Sequence, residues 1–127
     1  MTSEKKQIYI VDDDASVARA LRTLLMSFDF EVTTFNSAQS FFENVPNDDS
    51  GCLVLDIHMP GMDGWETQKR ILASGSKRPV IFISADKKDV AERASNVGAV
   101  GFLQKPFDGQ TLVDLINSSS DKRTIKN

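Results

Sequence analysis

The stretch "CLVLDIHMPGMDG", Cys52 to Gly64, decides the fold. Cys52 to Leu55 is apolar without alternation, which suits a strand covered on both faces of a parallel sheet. Asp56 then stands where such a strand surfaces, an acid at the rim of a buried layer. Behind it, Pro60 fixes a turn and Gly64 is expected to supply a positive φ, so both serve the backbone. Met59 and Met62 are expected to pack against the core. Trp65 is expected to open the next helix, partly exposed.

Working outward, "QIYIV" (7–11) reads as a short buried strand, and from Asp14 the apolar residues Val17, Leu21, Leu24, Leu25 and Phe28 recur at helical spacing. "FEVTTF" (30–35) has the alternation and β-branching of another strand, and Ser37 can cap a short helix through "AQSFFENV" that Pro46 stops. After the Pro-Gly loop, "WETQKRILAS" can form a helix ended by Gly75, and Pro79 opens the apolar strand "VIFIS" (80–84). "KKDVAERASNV" is predicted helical up to Gly98. The strand "VGFLQ" then leads through Lys105 and Pro106 to a last helix, "DGQTLVDLINSS", with Leu112, Leu115 and Ile116 on one side. Residues 119–127 read as a polar tail, frayed or the start of a linker, leaving one domain over 1–118.

Strands alternating with helices imply right-handed crossovers and a parallel sheet covered on both faces. In such sheets the functional crevice lies at the carboxyl ends of the strands. "VDDD" follows the first strand there, Asp56 ends the third, Ser84 the fourth, and Lys105 follows the fifth.

Composition narrows the function classes. The chain has 127 residues, 40% hydrophobic and 26% charged, enough for a single core of ordinary kind. A net charge of -3 and a pI near 5.1 offer no dense basic face for nucleic acid or an anionic membrane. Cys52 is the only cysteine, so no internal disulfide forms, and its apolar setting fits an inert buried thiol in a reducing compartment. No apolar run reaches the roughly 20 residues of a membrane span, and "MTSEKKQ" lacks a signal-peptide core. The expected location is the cytoplasm.

If Asp12, Asp13 and Asp56 converge, mutual repulsion demands raised pKa values or a cation. Mg²⁺ suits an all-oxygen set that leaves room for water and phosphate oxygens. Lys105 would add a compact positive charge and Ser84 a hydroxyl able to hydrogen-bond an oxyanion. Such a set can accept a phosphoryl group, with Asp56 as nucleophile.

These motifs resemble the receiver domain of two-component response regulators: "VDDD" after strand one, "LDIHMPGMDG" around the acceptor, "ISA" ending strand four and "GAVGFLQKPF" with its Lys-Pro pair, in family order. "FNSAQSFFENVP" and "LQKPF" further resemble the FixJ-like branch, whose members often carry a separate DNA-binding domain. The resemblance implies a flavodoxin-like (βα)5 fold with strand order 2-1-3-4-5. It implies phosphorylation of Asp56 by a sensor histidine kinase, with Mg²⁺ held by Asp13, Asp56 and the His58 backbone carbonyl, and by Asp12 through water. Ser84 and Lys105 would contact the phosphoryl group. Ser84 and Phe102 would form the switch to the face made by the fourth helix, fifth strand and fifth helix, where such domains homodimerise or engage an effector.

The resemblance also marks His58 and Asp86 as positions that tune the lifetime of the phosphoryl group. Asp29 stands where many receivers have Gly, and tolerates a left-handed conformation less cheaply; Thr67 replaces a commoner aliphatic residue. Two other readings stay open. A haloacid-dehalogenase-like phosphohydrolase also uses a strand-end aspartyl nucleophile with Mg²⁺, but wants a second Asp where this chain has His58. A receiver-like interaction module would work without phosphate.

Overall fold

The computed structural model describes residues 5–85 and 90–126, with side chains up to residue 119. Among these residues, β1 (Gln7–Val11), β2 (Glu31–Phe35), β3 (Cys52–Asp56), β4 (Val80–Ser84) and β5 (Gly101–Gln104) alternate with α1 (Ala15–Ser27), α2 (Ala38–Asn44), α3 (Gly64–Ala73), α4 (Val90–Asn96) and α5 (Gly109–Lys126). The five strands form one parallel sheet in the order β2-β1-β3-β4-β5. This is the expected (βα)5 arrangement.

The unbroken apolar runs of β3 and β4 divide by strand alternation between two cores. Tyr9, Val11, Leu53, Leu55, Val80 and Phe82 face one side, where Ala38 and Phe41 of α2, Ile71 of α3, and Val90 and Ala94 of α4 cover them. Ile8, Ile10, Cys52, Val54, Ile81 and Ile83 face the other, under Ala18, Leu21 and Leu25 of α1 and Leu112, Val113 and Ile116 of α5. Burial on both faces is why these strands carry no polar alternation. Cys52 is buried, as expected.

Capping fixes where helices begin. The Asp14 carboxylate accepts from the amides of Ser16 and Val17, and the Ser37 hydroxyl from that of Ser40. At α3 the Asp63 carboxylate accepts from the Glu66 amide at 2.9 Å while Glu66 accepts from the Asp63 amide at 3.2 Å, a reciprocal capping box. Asp29 holds φ 72 after α1, so the left-handed cost expected there is real. Thr67 is fully buried, and its hydroxyl donates to the Asp63 carbonyl at 2.7 Å, which satisfies it inside the helix.

One backbone expectation is corrected. The positive φ in the loop after β3 belongs to Gly61, at 77°. Gly64 is needed for close approach: a Cβ there would lie 2.7 Å from the Ile57 Cα and 2.8 Å from the Asp56 carbonyl oxygen. The Gly64 amide uses that proximity to donate to the Ile57 carbonyl at 2.8 Å, tying the start of α3 to the end of β3. The final helix continues beyond "DGQTLVDLINSS" to Lys126. Among the described residues, no helix is long and apolar enough to cross a membrane.

Candidate functional site

Register brings the acids together. Val11 pairs with Leu55, so Asp12 and Asp56, each one residue further on, reach the carboxyl rim of the sheet side by side. Asp56 pairs across with Ile83, which places Ser84 one step beyond on the neighbouring strand, and Ser84 pairs with Gln104 just before Lys105. Carboxylate oxygens of Asp12, Asp13 and Asp56 all lie within 4.8 Å of one another; Asp12 and Asp56 are buried and Asp13 is exposed. Lys105 Nζ lies 3.2 Å from Asp12 Oδ2 and 3.7 Å from Asp56 Oδ1. Its backbone amide donates to the Ser84 carbonyl at 2.7 Å, fastening the β5 loop to the end of β4.

The electrostatics are unbalanced. Burial pushes the Asp56 carboxyl up to about 6, helped by the negative charges of Asp12 and Asp13 and opposed by Lys105 and a hydrogen bond from the His58 amide. Asp12 is better served, since its Oδ1 accepts from the Asp14 amide at 2.9 Å and its Oδ2 from Lys105. Lys105 thus lies against two of the three clustered carboxylates. The donor set fits a hard divalent cation: all oxygen, no sulfur, one edge open at Asp13.

Other sequence-derived candidates sit near this centre. Ser84 is fully buried at the end of β4. Phe102 is partly buried, pairs in register with Phe82, and borders a cavity of about 210 Å³ with Ala91, Ala94 and Ser95 of α4. The His58 residue is exposed. Asp86 lies outside the described residues.

Sequence reading missed three features. Arg19 and Arg22 of α1 line a cavity of about 350 Å³ that also touches Asp12, Thr34 and Asn36; their i, i+3 spacing was the available signal. The Asp63-x-x-Glu66 pattern announces the capping box. Gln68, a polar residue four positions after Gly64 on the inward side of α3, is buried against the turn that follows α4.

A family model described as "Response regulator receiver domain" matches residues 8–117. The chain belongs to the response regulator receiver domain family. This receiver domain is 40% identical over 116 residues to the transcriptional regulatory protein FixJ of Bradyrhizobium diazoefficiens, covering 91% of the chain and 57% of that relative. Among solved structures, the response regulator StyR superposes with a TM-score of 0.85 at 41% identity, covering 95% of the chain and 64% of StyR. Full-length FixJ from B. japonicum gives 0.86 at 40% identity, covering 94% of the chain and 60% of FixJ. The chain spans a little over half the length of the curated relatives it matches. Receiver domains of response regulators are signalling switches rather than classical enzymes, and the receiver reading displaces the phosphohydrolase alternative.

Proposed function

We propose that Asp56 accepts a phosphoryl group from a phosphohistidine of a sensor histidine kinase in a Mg²⁺-dependent reaction. A buried carboxylate held up to about 6, beside two further acids and one lysine, carries this reading. Such a group is mostly ionised at neutral pH yet poorly solvated, which favours attack on phosphorus. An Asp56 oxygen forms the new P–O bond, the P–N bond to the donor imidazole breaks, and the imidazole nitrogen keeps the electron pair. Lys105 and the Ser84 hydroxyl neutralise and hydrogen-bond the transferred oxygens. Asp12, Asp13, Asp56 and the His58 carbonyl would hold Mg²⁺, which supplies charge neutralisation across the acids and the phosphoryl oxygens.

The domain assists only its own phosphorylation and dephosphorylation, with His58 and Asp86 tuning the lifetime. Ser84 and Phe102 pass the change to the α4-β5-α5 face, where phosphorylation controls homodimerisation through α4 and β5 or engagement of an output domain. A DNA-binding output domain outside this chain is supported by the lengths and names of the FixJ relatives, and residues 119–127 are read as the start of the connection after a receiver over 1–118. The acidic receiver itself contacts neither nucleic acid nor membrane, and works in the cytoplasm alongside its kinase.

Intact mass after incubation with acetyl phosphate and Mg²⁺ tests the reading. One phosphoryl adduct is expected, lost in Asp56→Asn and with EDTA. A folded, Mg²⁺-binding protein that gains no adduct from acetyl phosphate or from a phosphorylated histidine kinase would favour the phosphate-independent interaction module.

A further inference from the structure

The side of α3 facing α4 carries groups that the proposed transfer does not use. Buried Gln68 donates through Nε2 to the Val97 carbonyl at 2.9 Å, just past the end of α4, while its buried Oε1 has no hydrogen-bond partner among the described residues. Trp65, the only tryptophan in the chain, lies against Phe82 with ring centroids 4.8 Å apart, and the Arg93 guanidinium of α4 sits over its ring at 4.2 Å. The same helix is fastened to the acceptor strand by the Gly64 amide and the close Gly64–Ile57 approach. Phe82 in turn lies in register between Leu55 and Phe102. α3 is therefore a second physical connection from the end of β3 to α4, separate from Ser84.

We infer that the Arg93–Trp65 stack and the Gln68–Val97 bond form a restraint that holds α4 in its resting position, with Arg93 and Gln68 as positioning residues for the switch. This rests on Asp56 being the phosphoryl acceptor. Two features of the contact suit a restraint that must break. A cation over an aromatic ring at an exposed arginine is a weak bond. The Gln68–Val97 contact is a single bond between a neutral amide and a carbonyl, modest in net strength. Coupling between sites is reciprocal: if occupation of the Asp56 site favours release of α4, loosening α4 must tighten binding of a phosphoryl mimic at Asp56, although neither residue touches it.

The sign separates this from simple electrostatics. Arg93→Ala removes a positive charge, which by itself would weaken binding of an anion; the restraint requires the opposite. Beryllofluoride with Mg²⁺ is titrated into the full chain as wild type, Arg93→Ala, Arg93→Lys, Gln68→Met and Asp56→Asn, followed by calorimetry and by Trp65 emission. Wild type should give a saturable emission change that Asp56→Asn lacks. Arg93→Ala should bind about fivefold more tightly, and its resting emission should already be displaced toward that of the complex. Arg93→Lys should fall between, and Gln68→Met should also tighten. Thermal melting confirms that each variant is folded. Wild-type or weaker affinity in both Arg93→Ala and Gln68→Met overturns the restraint while leaving Asp56 in place. Absence of any beryllofluoride complex in wild type overturns the Asp56 reading and the restraint with it.

Discussion

The two ends of the sheet bury charge in opposite ways. At the carboxyl rim, Asp12 and Asp56 share Lys105, Asp13 stands beside them, and Asp56 is pushed up to about 6. At the amino-terminal edge, Arg78 is buried with nearly everything it needs. Its Nη1 donates to the Gly51 carbonyl at 2.9 Å and its Nη2 to the Pro46 carbonyl at 3.1 Å, it lies 3.8 Å from Asp49 Oδ1, and it sits over the Tyr9 and Phe41 rings. The Tyr9 hydroxyl donates to Asp49 Oδ2 at 2.7 Å and the Gly51 amide to Asp49 Oδ1 at 2.8 Å. Burial alone would raise Asp49, yet these two donors and Arg78 hold it below the usual carboxylate range. Burial, with Asp49 as neighbour, raises the Tyr9 phenol to about 12. One end uses buried charge to fix loops; the other keeps a surplus of negative charge that a cation and a phosphoryl group would relieve.

Breaking the balanced end should cost most. Arg78→Met leaves the Gly51 and Pro46 carbonyls and Asp49 without their buried cationic partner, and urea unfolding should show a loss of about 3 kcal/mol. Phosphorylation of the folded fraction should be unchanged, because the acidic pocket lies at the far edge of the sheet. Removing charge from the unbalanced end should do the reverse. The Asp56 carboxyl is raised in the folded state, so between about pH 4 and pH 6 the native protein binds the extra proton. The stability tied to that proton is fully present below pH 4 and is lost as pH rises through 6. Metal-free Asp56→Asn should therefore match wild type at pH 4 and exceed it by about 2 kcal/mol at pH 7. Tyr9→Phe should have the smallest effect, a loss of about 1 kcal/mol from one hydroxyl donor. It should also raise the Asp49 pKa, which a carboxyl NMR titration would record.

These two ends were unequally legible in the sequence. Asp56 stood out because an uninterrupted apolar strand stops on it, and Asp12, Asp13, Ser84 and Lys105 followed once the strands were placed, since parallel strands share one carboxyl rim. The cap at Ser37 was equally local. Arg78, inside "SKRPV", looks like a solvated basic turn, and its burial depends on carbonyls 27 and 32 residues earlier in the chain. Gly64 misled for a related reason: its need is set by packing on Ile57 and Asp56, whereas Gly61 carries the turn. Gln68 and Arg93 gained meaning only when α3 and α4 were seen side by side.

The most direct measurement is a ¹³C NMR titration of the Asp56 side-chain carboxyl, without metal and with Mg²⁺. A midpoint near 6 without metal, moving clearly downward when Mg²⁺ is added, is expected if the pocket is short of positive charge. A midpoint near 4 that ignores Mg²⁺ would contradict the account.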